Sequence, residues 1–228
     1  MGNRARIVSQ SRRLMNEHGA QAIGTTQITE ALGISPGNLY YHFKNKEEIV
    51  LAVFDELERD FREAIAVDIS PPISAQRFAG FYSRSLAVSW RYRFFFGGLL
   101  HLLRKDENLA RRYRELQSWA LDLLEGIARQ VSADGNLEKP RGKNGFRSLA
   151  LNTWLIWSNW VRHIQISHEN HEVTYADISE GVNQIFEILA PYLTPEFHRA
   201  ARRALTHDLS KSKDQELADA GHDNRSPQ

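Results

Sequence analysis

Thr25-Thr26-Gln27-Ile28-Thr29-Glu30-Ala31-Leu32-Gly33-Ile34-Ser35-Pro36-Gly37-Asn38-Leu39-Tyr40-Tyr41-His42-Phe43 is the stretch on which the reading of this chain turns. Ile28, Ala31 and Leu32 mark a short helix, and Gly33 is suited to the left-handed conformation that ends one helix and turns the chain sharply. Ser35 is a good N-cap, and Pro36 follows at the first helical position, where proline is accepted. With Ile34 in the turn and Leu39 and Phe43 facing inward, the two helices share a small core at a fixed angle. That is a helix-turn-helix.

The outward face of the second helix gives the unit a purpose. If Leu39 and Phe43 point in, then Asn38, Tyr41 and His42 are largely exposed, with Tyr40 near the edge. Two adjacent aromatics that a two-turn helix cannot bury need a partner, and DNA offers phosphate oxygens, base edges and thymine methyls. The next residues, Asn45-Lys46-Glu47-Glu48, read as a helix start with Asn45 as cap and Glu48 at the capping-box position. Lys46 opposes the positive end of that helix, which suggests a nearby anion such as a phosphate.

Upstream, Ile7, Ser11, Leu14 and Met15 give a first helix stopping at Gly19. Downstream, Val50, Phe54, Leu57, Phe61 and Ile65 recur at helical spacing. Ser70-Pro71-Pro72 breaks that helix, and Ser74 caps the next, which bears Phe78, Phe81, Tyr82 and Leu86. Between Trp90 and Gly97-Gly98 the periodicity blurs. Leu109 to Val131 form another long stripe, residues 134–145 a loop, Phe146–Ser167 a helix apolar on several faces, and Ile178 to Leu189 a last strong stripe. A shorter helix follows Pro195, and from Leu209 the scarcity of large apolar residues predicts a disordered tail. The expected fold is all-α with about ten helices: a three-helix head over residues 1–46, a helical-bundle body over 47–208, and the tail at 209–228.

Composition narrows the class. The 228 residues are 42% hydrophobic and 25% charged, ordinary for a globular protein, and no apolar run approaches the ~20 residues of a membrane span. Met1–Arg13 carries four Arg and no apolar core, so a signal peptide is not expected. The absence of Cys excludes disulfides and thiolate metal sites and fits a cytoplasmic location. The net charge of +1 hides a basic head, in which Arg4, Arg6, Arg12, Arg13, Lys44 and Lys46 face only Glu17 and Glu30. No nucleophile elbow, phosphate loop or carboxylate pair stands out, which argues against an enzyme, and no cofactor is expected.

From Gly33 through Phe43 to Lys44-Asn45-Lys46-Glu47-Glu48, the chain resembles the signature of the TetR family of transcriptional regulators, and the close likeness spans roughly residues 4–54. The resemblance implies that Thr25 and Thr26 touch phosphates. It implies that Pro36, Gly37, Tyr40, Tyr41 and His42 lie in or beside the major groove, with Asn38 and Lys46 on the DNA backbone. Thr26 and Tyr41 depart from the arginine common at both positions, which leaves a shorter, uncharged contact at one and a hydroxyl and ring face at the other. The family implies a homodimer on a palindromic operator, built through the helices near 146–167 and 175–190, where Asn152, Ser158 and Gly181 would permit close approach. It also implies a small-molecule effector that respaces the heads and lifts repression. A second reading is a TetR-like factor that binds many sites, linked to the nucleoid or to division, without an effector.

Aromatic residues of the body offer lining for an effector pocket, namely Phe81, Trp90, Phe94, Phe95, Phe96, Trp119 and Trp157 together with His101, although such residues more often fill a core. His163, His168 and His171 with Glu169 and Glu172 lack the spacing of a recognised metal site, so no metal is expected. Arg104, Lys105, Arg111, Arg112 and Arg114, interleaved with acids, read as a solvated face.

Overall fold

The computed structural model describes residues 2–65, 71–167 and 173–223, and it is helical, with eleven α-helices and no strand among the described residues. Three helices make the head: α1 (Asn3–His18), α2 (Thr25–Leu32) and α3 (Pro36–His42). Ile7, Met15, Ile28, Leu39 and Phe43 are buried together, so one short apolar stripe from each helix closes a common core. Gly33 takes the left-handed conformation, φ 62° and ψ 34°, and its amide and that of Ile34 bond back to the carbonyls of Glu30 and Thr29, each at 3.1 Å. The Ser35 hydroxyl accepts from the Asn38 amide at 3.2 Å with Pro36 behind it, the cap read from the sequence.

Helix α4 (Lys46–Ile65) leaves the head and enters the body. Its cap departs slightly from expectation: Asn45 accepts from the Glu48 amide at 2.9 Å, while the Glu48 carboxylate accepts from the amide of Lys44 at 2.8 Å, one residue before the cap. The body follows as α5 (Ala75–Arg91), α6 (Arg93–Gly97), α7 (Leu99–Lys105), α8 (Glu107–Ala133), α9 (Gly145–Ser167), α10 (Tyr175–Leu189) and α11 (Pro195–Asp223). Ser74, Asp106 and Thr174 cap α5, α8 and α10 through their side chains. Helix α9 is central, packed on α6, α8 and α10, while α5 lies on α4 and α11. Aromatic rings close this centre: Trp157 stands 4.5 Å from Phe61, 4.8 Å from Phe96 and 5.2 Å from Trp154 between centroids.

The fold differs from the sequence expectation in three places. The blurred stretch after Trp90 holds two short helices, α6 and α7, because Tyr92 (φ −119°, ψ 29°) and Gly98 (φ −94°, ψ 6°) leave helical geometry. Helix α11 runs through Leu209 to Asp223, where a disordered tail was expected. Lys, Glu, Leu and Ala of that segment favour helix, and neither Gly nor Pro interrupts it before Gly221. Finally, Ser158 and Gly181 are used within the chain: the Ser158 hydroxyl donates to the Trp154 carbonyl at 2.8 Å, and Gly181 lies against the Trp160 ring. The candidate metal cluster falls largely outside the described residues; of it, His163 is described, its ring 5.0 Å from that of Trp160. No described helix is long and apolar enough to cross a membrane.

A Cβ at Gly181 would come within 2.6 Å of the Trp160 ring, which a 2.6 Å hydrogen bond from its indole N–H to the Asp177 carbonyl holds in place. Such overpacking costs about 1–3 kcal/mol, against about 1 kcal/mol gained in helix propensity by alanine. Gly181→Ala therefore lowers the urea midpoint, and the same change beside Trp160→Leu does not. Equal midpoints for wild type and Gly181→Ala would contradict this packing.

Candidate nucleic-acid interface and inner cavity

On α3 the outward face is Pro36, Gly37, Tyr40 and Tyr41. Tyr41 is 86% exposed and Tyr40 51%, while Leu39 is fully buried. The Tyr40 hydroxyl lies 3.3 Å from the hydroxyl of Thr25 at the start of α2, so one pair ties both helices at the surface. Tyr41 packs edge-on against His42, with ring centroids 5.0 Å apart. Asn38 and His42 are half-buried rather than open, and Asn38 Oδ1 is enclosed without a partner in the described structure. Thr26 is exposed beside Thr25, in the first turn of α2, where free backbone amides and the helix dipole suit an anion. Seven of the nine residues read from the sequence thus cluster on one surface: Thr25, Thr26, Pro36, Gly37, Tyr40, Tyr41 and, at its edge, His42.

Lys46 is placed elsewhere. Its stem folds back so that the amine donates to the Ala20 carbonyl, in a cleft shared with Gln21, His101 and Lys105 between head and body. Burial is the main cause that lowers its pKa from the ordinary lysine value, with Lys105 adding to it. A cation at the first helical position is repelled by the helix dipole, and here a loop carbonyl, not a phosphate, receives it.

The junction between head and body has a residue that sequence reading missed. Asn16 of α1 donates from Nδ2 to the Arg91 carbonyl at 2.8 Å and accepts at Oδ1 from the Phe94 amide at 3.1 Å. It thereby satisfies two backbone groups at the break between α5 and α6. Beside it, Asp60 of α4 accepts from the Tyr92 hydroxyl at 2.7 Å and from Arg91 at 2.9 Å. Burial opposes ionisation of Asp60, yet the hydrogen bonds from Tyr92, Arg91 and Arg59 outweigh it and hold its pKa below the usual carboxylate range. No motif marks Asn16; only its partners 75 and 78 residues away give it a role.

Deeper in the body, a narrow apolar cavity of about 30 Å³ lies between α4, α5, α8, α9 and α10. Of the aromatics named from the sequence, Phe81 and Trp157 line it. Phe95 is core against Phe54, and Phe96 packs on Trp157. Trp119 covers Phe61 from outside under Arg62, whose guanidinium lies 4.2 Å from the ring. Trp90 packs on Tyr175, and Phe94 and His101 line the head–body cleft. Phe61 and Ile65 of α4, Tyr82 and Ser85 of α5, and Thr153 and Trp154 of α9 complete much of the wall. The spacing of these residues is that of any buried helix face, so no sequence signal separates lining from core.

A short capped helix with an exposed aromatic face, braced by two others and joined to a helical body, defines a helix-turn-helix regulator. The family model for the N-terminal domain of bacterial regulatory proteins of the tetR family matches residues 7–53, and the model for TetR, a bacterial transcriptional repressor, matches residues 51–201. The chain belongs to the TetR family of transcriptional regulators. A TetR-family regulator from Marinobacter aquaeolei VT8 is 31% identical, with a TM-score of 0.79 over 91% of this chain and 98% of that one. The fatty acid metabolism regulator protein of Bacillus subtilis is 23% identical over 140 residues, 58% of this chain and 70% of its own. AibR, solved in complex with isovaleryl coenzyme A and operator DNA, shares the fold at 16% identity, with a TM-score of 0.62 over 84% of this chain and all of that one.

Gly37 offers a test of the interface. A Cβ there would meet only the Ser35 Oγ, at 3.9 Å, so alanine is accommodated within the protein. Gly37→Ala keeps or raises the unfolding midpoint, since alanine favours helix by up to about 1 kcal/mol. On a duplex that the wild-type chain selects from a random pool, its affinity falls by roughly tenfold or more, the effect of a methyl group forced into a tight contact. Unchanged affinity in fluorescence anisotropy would remove Gly37 from the interface.

Proposed function

We propose that this protein is a homodimeric repressor that leaves a palindromic operator when a small apolar molecule enters the inner cavity. The observation that carries this reading is the course of α4. Its first turn closes the head, and its last turns, through Phe61 and Ile65, form part of the cavity wall. A molecule that displaces those two side chains moves the helix on which the head is mounted, which is the differential contact a two-state switch requires. The names of the two relatives support the existence of an effector: one is a fatty acid metabolism regulator, and the other was solved with an acyl coenzyme A and operator DNA.

Residues 1–46 act as the DNA-binding unit and 47–208 as the ligand-binding and dimerisation unit, with the boundary in the first turn of α4. Thr25, Thr26, Tyr40, Tyr41 and His42 meet DNA with Pro36 and Gly37, and the half-buried Asn38 lies beside them. For the dimer, α9 keeps an outward row of Leu151, Leu155 and Ile166, the last 77% exposed, on a helix whose other large apolar side chains are buried or half-buried in its own chain. A second copy applied along α9 and α10 would bury that row by an isologous contact. Cytoplasmic location follows from the function proposed.

Selection from a random duplex pool should return a two-fold-symmetric motif with half-sites about one helical turn apart or a multiple of it. Leu155→Glu should shift sedimentation from dimer to monomer and weaken binding to that duplex, with helicity retained. Enrichment of a single asymmetric half-site, or a Leu155→Glu dimer of wild-type stability, would sink the homodimeric reading.

A further inference from the structure

Ligand-sized space in this molecule lies between head and body. One hollow of about 320 Å³ is bounded by the loop after α1, the first turn of α4, α7 and the start of α8. A second, of about 420 Å³, continues along α1, α6 and the end of α9. Ala20, Gln21, His101 and Leu102 line both, so the two form one cleft. Pockets that hold small molecules start at roughly 300 Å³, and each hollow clears that size as it stands.

The polar groups of the first hollow are mostly donors. Lys46 reaches it from α4 and Lys105 from α7, with the His101 ring and the Gln21 amide beside them. Lys46 is half-buried and its amine is bonded to the Ala20 carbonyl; among the described residues neither lysine makes an ion pair. Burial lowers the Lys46 pKa, Glu47 next to it raises it, and Lys105 lowers it again, so the two ammonium groups feel each other across the gap. The two carboxylates at the rim are placed otherwise. Asp106 accepts from the Leu109 amide at 3.0 Å as the cap of α8, and Glu47 is exposed in the first turn of α4, where the helix dipole favours it. A half-buried cation facing a second cation is unfavourable, and an anion between them offsets both the desolvation and the repulsion.

We propose that the head–body cleft is a binding site for a small phosphorylated compound, held between Lys46 and Lys105. Ammonium groups act as compact point charges that suit phosphate oxygens, whereas the planar fork that matches a carboxylate belongs to arginine. The site is separate from the inner cavity and does not depend on the effector reading. Its ligand touches the α1–α2 loop and α4 on one side and α7 on the other, and so fastens the head to the body.

Inorganic pyrophosphate tests this, titrated into the full-length protein by calorimetry at fixed ionic strength without divalent cations. One site per chain is expected. Lys105→Gln removes an exposed charge that the fold does not use, and it should weaken binding roughly tenfold or more, the loss of one charge-assisted hydrogen bond. Lys46→Gln should do the same. Citrate, of similar charge but built of carboxylates, should bind more weakly than pyrophosphate. With pyrophosphate bound, hydrogen exchange should slow in the loop 19–24 and in α7, and stay unchanged in α3. Absence of binding, or an affinity indifferent to both lysine substitutions, would overturn the site. Slower exchange in α3 would do so as well, by placing the anion on the DNA-facing surface. Citrate binding as tightly as pyrophosphate would overturn the phosphate class.

Discussion

Helix α4 has one end in each half of the molecule. Its 20 residues span about 30 Å, and a rod of that length cannot be shifted at one end without moving the other. At the head, Ile49, Val50 and Val53 are buried against the small core that holds α3. At the far end, Phe61 is stacked on Trp157 and Ile65 faces the cavity. Between them, Asp60 gathers Tyr92 and Arg91, and Arg112 of α8 pairs with Asp55 and Glu58. The inner face of α4 stays apolar through Phe54 and Leu57 as well, and the ion pairs are added to the middle of the helix beside that packing.

Asn16 adds a second link of a different kind. Its amide satisfies one donor and one acceptor at the break between α5 and α6, so the first helix of the head is joined directly to the backbone of the body. Arg12, one turn earlier, lies over the Tyr92 ring at 5.3 Å. Through these contacts a movement of α6 would be felt at α1, as a displacement of α4 would be felt at α3. Two connections of this sort constrain the direction in which the head can swing, not only whether it moves.

Much of the head was legible in the sequence because its signals are local. Gly33, Ser35, Pro36 and Asn45 each act within four residues, and each has the conformation or hydrogen bond that its chemistry implies. The exposed pair Tyr40 and Tyr41 follows from the same periodicity that buries Leu39. What could not be read is long-range. Lys46 was matched to a phosphate by charge, yet its amine meets the Ala20 carbonyl, 26 residues away in sequence. Gly181 looked like an allowance for a second chain, and it is filled by Trp160 of its own. The cavity was hidden for a related reason: Phe81 and Phe95 are both buried helical aromatics, and only the packing of neighbouring helices makes one a wall and the other a core.

The central claim is that the cavity controls the spacing of the two heads through α4. The chain has no cysteine, so a single spin label at Lys44→Cys, an exposed position between α3 and α4, reports on each head of a dimer without background. Dipolar electron resonance gives the label-to-label distance with and without a small apolar molecule selected for raising the protein's unfolding midpoint. Coupling through α4 predicts a shift of several ångströms, on the scale of a one-turn displacement (~5 Å), when the ligand binds. Superimposable distance distributions at saturating ligand would contradict it.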